Sequence, residues 1–156
     1  GRRKVLHWNV TAAPSMASVV QQLRDATSYG IQPCYLFRDN DGIYGTGVGE
    51  FLDSCDIEDV RIAYRSPWQN PFVERFGGTL RRELLDHVIV LGQDHLERLL
   101  REFIEEYYHV ARPHQGLDGD TPIPQPKADA PIVGPTKLIS TPILGGLHHR
   151  YQRVAA

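Results

Sequence analysis

Two carboxylates in this chain have neighbours that suggest chemistry. Glu74 lies in Ser66-Pro67-Trp68-Gln69-Asn70-Pro71-Phe72-Val73-Glu74-Arg75-Phe76, which sets it beside an arginine at the start of a helix-forming sequence. Asp39 lies upstream in Arg38-Asp39-Asn40-Asp41-Gly42, at the end of the apolar run Pro33-Cys34-Tyr35-Leu36-Phe37. Carboxylates from two separate elements suit a divalent cation, because Mg2+ prefers oxygen ligands in near-octahedral geometry and takes only a few of them from protein. The pair reads as a metal site with Asp39 and Glu74 as ligands.

Plainer readings exist for each. An Asp followed by Asn, Asp and Gly commonly builds only a turn, since Asp and Asn side chains bond the local backbone and Gly accepts positive φ. A Glu in a first helical turn suits the helix dipole without any metal. A calcium loop starting at Asp39 fails on its own pattern: its fifth place is Ile43 where an oxygen ligand belongs, and its sixth is Tyr44 where glycine belongs. His148-His149 has no further ligand at metal-like spacing and reads as a surface pair.

The elements that must position these groups follow from periodicity. Residues 3–10 have strand-type composition and predict a strand near the start. Pro14 and Ser15 open a helix whose apolar face is Val19, Val20, Leu23 and Ala26, closed by Tyr29-Gly30. Residues 33–37 read as a short buried strand that delivers Asp39 to its carboxyl end. Gly42, Gly45, Gly47 and Gly49 predict a supple loop, followed by a short helix over 48–54 and a strand over 60–64. From Asn70, Phe72, Phe76, Leu80 and Leu84 recur at fourfold spacing and predict a helix with one apolar ridge, off which Glu74 points. Leu96, Leu99, Leu100, Phe103, Ile104, Tyr107 and Tyr108 predict a second, packing helix. Beyond Asp120 lie six of the eleven prolines, which predicts an extended tail. The order indicates an α/β domain with at least two parallel strands, whose ligands gather at the carboxyl ends of those strands.

Composition sets the bounds. With 156 residues, 41% hydrophobic and 23% charged, the chain supports one core. No apolar run, Val88-Ile89-Val90-Leu91 included, has the length to cross a bilayer, so a cytoplasmic location and no membrane partner are expected. Cys34 and Cys55 are expected to pack as small reduced hydrophobes rather than pair. The net charge of −2 is not that of a typical nucleic-acid binder, but its distribution is uneven. Arg61, Arg65, Arg75, Arg81 and Arg82 stand against the single acid Glu74 between positions 61 and 82, so a basic stretch surrounds the proposed metal carboxylate. Arg75, Arg81 and Arg82 suit phosphate contacts, and Trp68 and Asn70 suit contacts to bases or sugar, although a solvated face and a buried Trp are the commoner fates.

Three motifs in order then carry a resemblance. Phe37-Arg38-Asp39-Asn40-Asp41-Gly42, Ser66 to Glu83 with its Phe76-Gly77-Gly78-Thr79-Leu80-Arg81-Arg82-Glu83, and Tyr108-His109-Val110-Ala111-Arg112-Pro113-His114-Gln115-Gly116-Leu117 followed by Thr121-Pro122 resemble the integrase core domain of bacterial insertion-sequence DDE transposases, relatives of retroviral integrases. The resemblance extends to the closing Leu144-Gly145-Gly146-Leu147-His148-His149-Arg150-Tyr151. It implies a ribonuclease-H-like α/β fold, a mixed sheet flanked by helices. The expected division is an integrase core over 1–119 and a Pro-rich tail over 120–156.

The resemblance further implies two aspartates and a glutamate that bind two Mg2+ or Mn2+ ions and cut and rejoin DNA phosphodiesters. Asp39 matches the second aspartate and Glu74 the glutamate. The first aspartate belongs on a strand preceding the segment at 2–5 and has no counterpart here, so an N-terminally truncated core lacking its first strand is expected. A bridging carboxylate holds the ions of a two-metal site about 3.5–4 Å apart. Weak or single-ion binding and inefficient cleavage are therefore expected of this chain alone. Transposon ends and target DNA are the implied partners, a homo-oligomer the implied assembly, and the nucleoid the implied setting. The alternatives are a catalytically inactive DNA-binding or interaction remnant and a ribonuclease-H-like nuclease without strand transfer.

Overall fold

The structure, a computed structural model, describes residues 3–28, 30, 33–125 and 135–156. The chain divides into two compact units, Leu6–Ile89 and a second made of Gly1–Val5 with Val90–Ala156.

The first unit opens with α1, Met16–Thr27. Its start is set by a reciprocal pair: the Ser18 backbone N–H donates to Ser15 Oγ at 3.2 Å, and the Ser15 N–H donates to Ser18 Oγ at 2.9 Å. The strand β1, Tyr35–Arg38, follows, then α2, Thr46–Ser54, and β2, Glu58–Arg61. β1 and β2 pair in parallel, with Tyr35 opposite Glu58 and Arg38 opposite Arg61. Val20 of α1, Val48 and Leu52 of α2 and Ile57 form the core, against which Leu36, Tyr44, Phe51 and Cys55 pack. A single turn, Pro67–Gln69, leads into α3, Pro71–Glu83, whose first position is the proline that tolerates having no donor there.

Several expectations change. No strand forms over residues 3–10. Strand-type residues need a neighbouring strand to complete their hydrogen bonds, and none of the described ones pairs with this segment. β1 is not buried: Tyr35 and Phe37 are 54% and 52% exposed, because only the face bearing Leu36 and Arg38 meets the core. Cys34, just before β1, is exposed, whereas Cys55 packs as expected. Gly42 lies in the turn before α2 as expected, but Gly45 caps α2 and Gly47 and Gly49 lie inside it, so three of the four glycines belong to the helix rather than to a loop. A Cβ at Gly45 would stand 2.8 Å from Met16 Sδ, so that glycine serves close packing. The ridge on α3 is buried only toward its end, with Phe72 66% exposed and Leu84 fully buried.

In the second unit α4, Gln93–Arg101, runs on into a π-helical segment, Glu102–Tyr108, with the His109 N–H donating five residues back to the Ile104 carbonyl at 3.0 Å. Phe103, Ile104 and Tyr108 are buried there. Two antiparallel strands follow, β3 Thr136–Ile143 and β4 His148–Ala155, joined through Gly145 and Gly146 at φ 64° and 98°. This hairpin docks on the π-helical segment. Ile143 is buried, the Leu144 N–H donates to Glu102 Oε1, and the His148 ring stacks on Tyr107 at 3.8 Å and 4°. His148 is thus a packing residue and not half of a surface pair. The region read as an extended tail therefore contains, past the nine undescribed residues 126–134, a paired and anchored hairpin.

Candidate metal and nucleic-acid site

Asp39 directly follows β1 and is exposed. Its Oδ1 accepts the Asp41 N–H at 3.2 Å, and Asp41 Oδ1 in turn accepts the Ile43 N–H at 3.0 Å. The turn reading of Asp39-Asn40-Asp41 thus holds, and it leaves the second Asp39 oxygen outside that bond.

Glu74 is exposed in the first turn of α3, where the helix dipole favours its charge. Hydrogen bonds tie the two carboxylates' elements to the same backbone beyond β2. Asn40 Nδ2 donates to the Ile62 carbonyl at 2.8 Å, and the Ala63 N–H donates to Gln69 Oε1 at 2.6 Å. The Glu74 N–H donates to the Asn70 carbonyl at 3.3 Å. The loop after β1 and the turn before α3 are therefore anchored one residue apart, at the carboxyl end of the parallel pair.

As a donor set, two solvent-facing carboxylates fit a hard cation that keeps most of its waters, which is how Mg2+ binds protein. Among the described residues no three His, Cys, Asp or Glu side chains gather into a metal-holding group.

The face of α3 opposite its buried side holds Glu74, Gly77, Gly78, Arg81 and Arg82, at helical neighbour spacing. Thr79 is buried and Phe76, Leu80 and Glu83 are half-buried on the other side. Gly77, where a Cβ would meet nothing within 4 Å, leaves bare backbone between the carboxylate and the arginines. Arg81 lies 3.5 Å from Asp86, an exposed contact that holds it weakly. The Arg82 guanidinium folds back over Gly78, where a Cβ would meet it at 2.9 Å. Arg75 is exposed beside Glu74. Trp68 escapes the commoner fate of tryptophan and is 70% exposed, while Asn70 is half-buried ahead of α3.

Three residues beside Asp39 received no role from the sequence. Arg38 is 5% exposed and donates to both Asp59 oxygens, at 2.7 and 2.6 Å. Those bonds hold the Asp59 carboxyl below the usual carboxylate range. Tyr44 presents its ring to the Arg38 guanidinium at 5.3 Å. Burial first, then the charges of Asp39 and Asp41, push the Tyr44 hydroxyl up. Opposite charges inside two short strands, Arg38 and Asp59, are the signal that could have pointed to this pair.

In the second unit the motif residues around the end of the π-helical segment are structural. His114 is buried, meets Tyr108 edge-on at 4.8 Å and accepts the Gly119 N–H on its carbonyl at 3.1 Å. His109 is buried, and its Nε2 accepts the Val5 N–H at 3.0 Å.

A sequence model described as an integrase core domain matches residues 55–122, a span that includes Glu74 and the arginines of α3 but not Asp39. A comparison with curated proteins finds no match. Among solved structures, the chain is similar to a chain in the cryo-EM structure of the simian T-cell lymphotropic virus intasome in complex with PP2A regulatory subunit B56 gamma. The TM-score is 0.55 at 18% sequence identity, over 92% of this chain and 55% of that one. The chain thus spans about half the length of that neighbour. At this identity the likeness is one of fold, and with the integrase-core match it indicates a ribonuclease-H-like α/β fold. No helix among the described residues is long and apolar enough to cross a membrane.

Proposed function

We propose that the chain is the catalytic-domain part of a DNA integrase or transposase of the bacterial insertion-sequence type, and that Asp39 and Glu74 contribute ligands to a Mg2+ or Mn2+ site. The observation that carries this reading is the hydrogen-bonded scaffold through Asn40, Ile62, Ala63 and Gln69. It anchors both carboxylate-bearing elements at the carboxyl end of β1 and β2, where open α/β folds collect their ligands. The matched integrase-core span supports it independently.

A bound divalent ion supplies Lewis-acid stabilisation of phosphodiester oxygens and an activated water. Asp39 and Glu74 orient that ion from two rigid elements. Arg81 and Arg82 on the same face as Glu74, with Arg75 beside it, contact phosphates and position the duplex without reading its sequence. Exposed Trp68 offers a flat face to a base or sugar. DNA ends and target are the partners, and the assembly that joins two ends is an oligomer of this chain in a cytoplasmic, nucleoid-associated setting. In this reading residues 1–119 are the core and residues 120–156 an appended segment.

A second reading, a DNA-binding remnant without cleavage, is favoured by one observation: no three metal-ligating side chains gather among the described residues. DNA binding and Mn2+-dependent nicking, measured side by side, separate the two. Duplex affinity is expected to fall with salt, and each of Arg75→Ala, Arg81→Ala and Arg82→Ala is expected to reduce the logarithmic salt slope by about 0.9. Nicking that requires both Asp39 and Glu74 supports the enzyme; binding with no nicking under any divalent ion supports the remnant. A triple arginine variant that binds duplex as wild type does would sink both.

A further inference from the structure

Arg38 and Tyr44 are the residues immediately before and after the loop at 39–43 that holds Asp39. They touch each other across its base, the Arg38 guanidinium carbon lying 5.3 Å from the Tyr44 ring centroid. Each is anchored on its far side. Arg38 is buried and forked onto Asp59 of β2, and Tyr44 packs against the cluster of Val20, Val48, Leu52 and Ile57. Within the loop the Tyr44 N–H donates to the Asp41 carbonyl at 3.1 Å, and Asn40 reaches across to the Ile62 carbonyl. Both ends of the loop are thereby fixed to each other and to the sheet.

We infer that Arg38 and Tyr44 are a positioning pair for Asp39: the arginine, clamped by Asp59, lies over the tyrosine ring and closes the base of the loop, which aims the Asp39 carboxylate. The inference rests on the reading of Asp39 as a metal ligand. A five-residue turn of Asp, Asn, Asp, Gly and Ile samples many conformations when its ends are loose, and a cation would then have to order it on binding. A loop already closed at its base leaves less to order.

The probe is Mn2+ alone, titrated into the whole chain and followed by the electron paramagnetic resonance signal of the unbound ion. Tyr44→Phe keeps the ring and is expected to bind within about twofold of wild type. Tyr44→Leu removes the ring face and is expected to weaken binding about 3- to 10-fold, the range of a partly desolvated cation–π contact. Arg38→Lys keeps a charge over the ring but loses the fork to Asp59, and the same weakening is expected; it serves as the test if Tyr44→Leu does not fold. Leu84→Ala, fully buried in the same unit but outside the cluster that anchors Tyr44, is expected to lower the melting temperature without changing Mn2+ affinity. Wild-type affinity in Tyr44→Leu, or in Arg38→Lys where that variant stands in, overturns the inference, as does an equal loss in Leu84→Ala, which would make the effect one of stability. Asp39→Asn distinguishes the deeper failure: if it binds Mn2+ as wild type does, the reading of Asp39 as a ligand falls and the inference falls with it.

Discussion

Arg38 donates two hydrogen bonds, of 2.7 and 2.6 Å, to the two carboxylate oxygens of Asp59 across the parallel pair of β1 and β2. The side chains are 4% and 18% exposed, so the ion pair is largely withdrawn from water. Arg61 approaches the same carboxylate at 3.3 Å from its outer side.

Removing one partner of such a pair leaves the other charge buried and unsatisfied. Asp59→Ala is expected to cost about 3 kcal/mol, at the low end for buried pairs because Asp59 keeps some exposure. Replacing both, as Arg38→Met with Asp59→Leu, is expected to recover most of that loss. Urea unfolding of the three proteins measures it, and a double variant no more stable than Asp59→Ala contradicts the account. The lowered folded pKa of Asp59 gives the acid side the matching sign. Its contribution is present above the ordinary carboxylate range and is lost as pH falls through the folded value.

His109 predicts a second pH dependence, in the other unit. Its Nε2 accepts the Val5 N–H, so the ring must be neutral with its proton on Nδ1. Burial first, then the charges of Lys4 and His114, hold its pKa below the ordinary value. A histidine with a depressed folded pKa takes up protons more readily when unfolded. Stability is therefore full above about pH 6.5 and declines as pH falls below it. His109→Gln, which offers a non-titrating acceptor to Val5, is expected to flatten the profile between pH 5 and 7. An unchanged slope in thermal melts of that variant would remove His109 as the cause.

Gly77 is exposed in the interior of α3, and a Cβ placed there meets nothing within 4 Å. Gly77→Ala is expected to stabilise the helix by about 0.5–1 kcal/mol, since glycine loses more backbone freedom on folding. A melting temperature raised by a few degrees is the expected result, and no rise contradicts the helical packing described. If α3 lies against phosphates through its bare strip, duplex affinity falls in the same variant.

Much of this molecule was readable in one dimension because its signals are local. Ser15 opening α1, Asn70 opening α3 and the apolar repeat ending at Tyr108 are short-range rules of capping and periodicity, and they held. Asp39 at a strand's end and Glu74 in a first helical turn were legible for the same reason. Most of the misreadings were of partners. Residues 3–10 have strand-type side chains but no strand to pair with among those described, Tyr35 and Phe37 have an uncovered face, and His148 found Tyr107.

Residue type and spacing along the chain therefore settled which groups could do chemistry and which elements hold them, because helix caps, turns and periodic faces depend on neighbours a few positions away. Folding in three dimensions settled what lies against what. It placed Asn40 on Ile62 and Gln69 on Ala63, forked Arg38 onto Asp59 and laid it over Tyr44. Contacts between residues of different elements, from six to twenty-two positions apart here, are specified by the packing of whole elements, and burial and charge pairing take their energies from that packing rather than from local sequence.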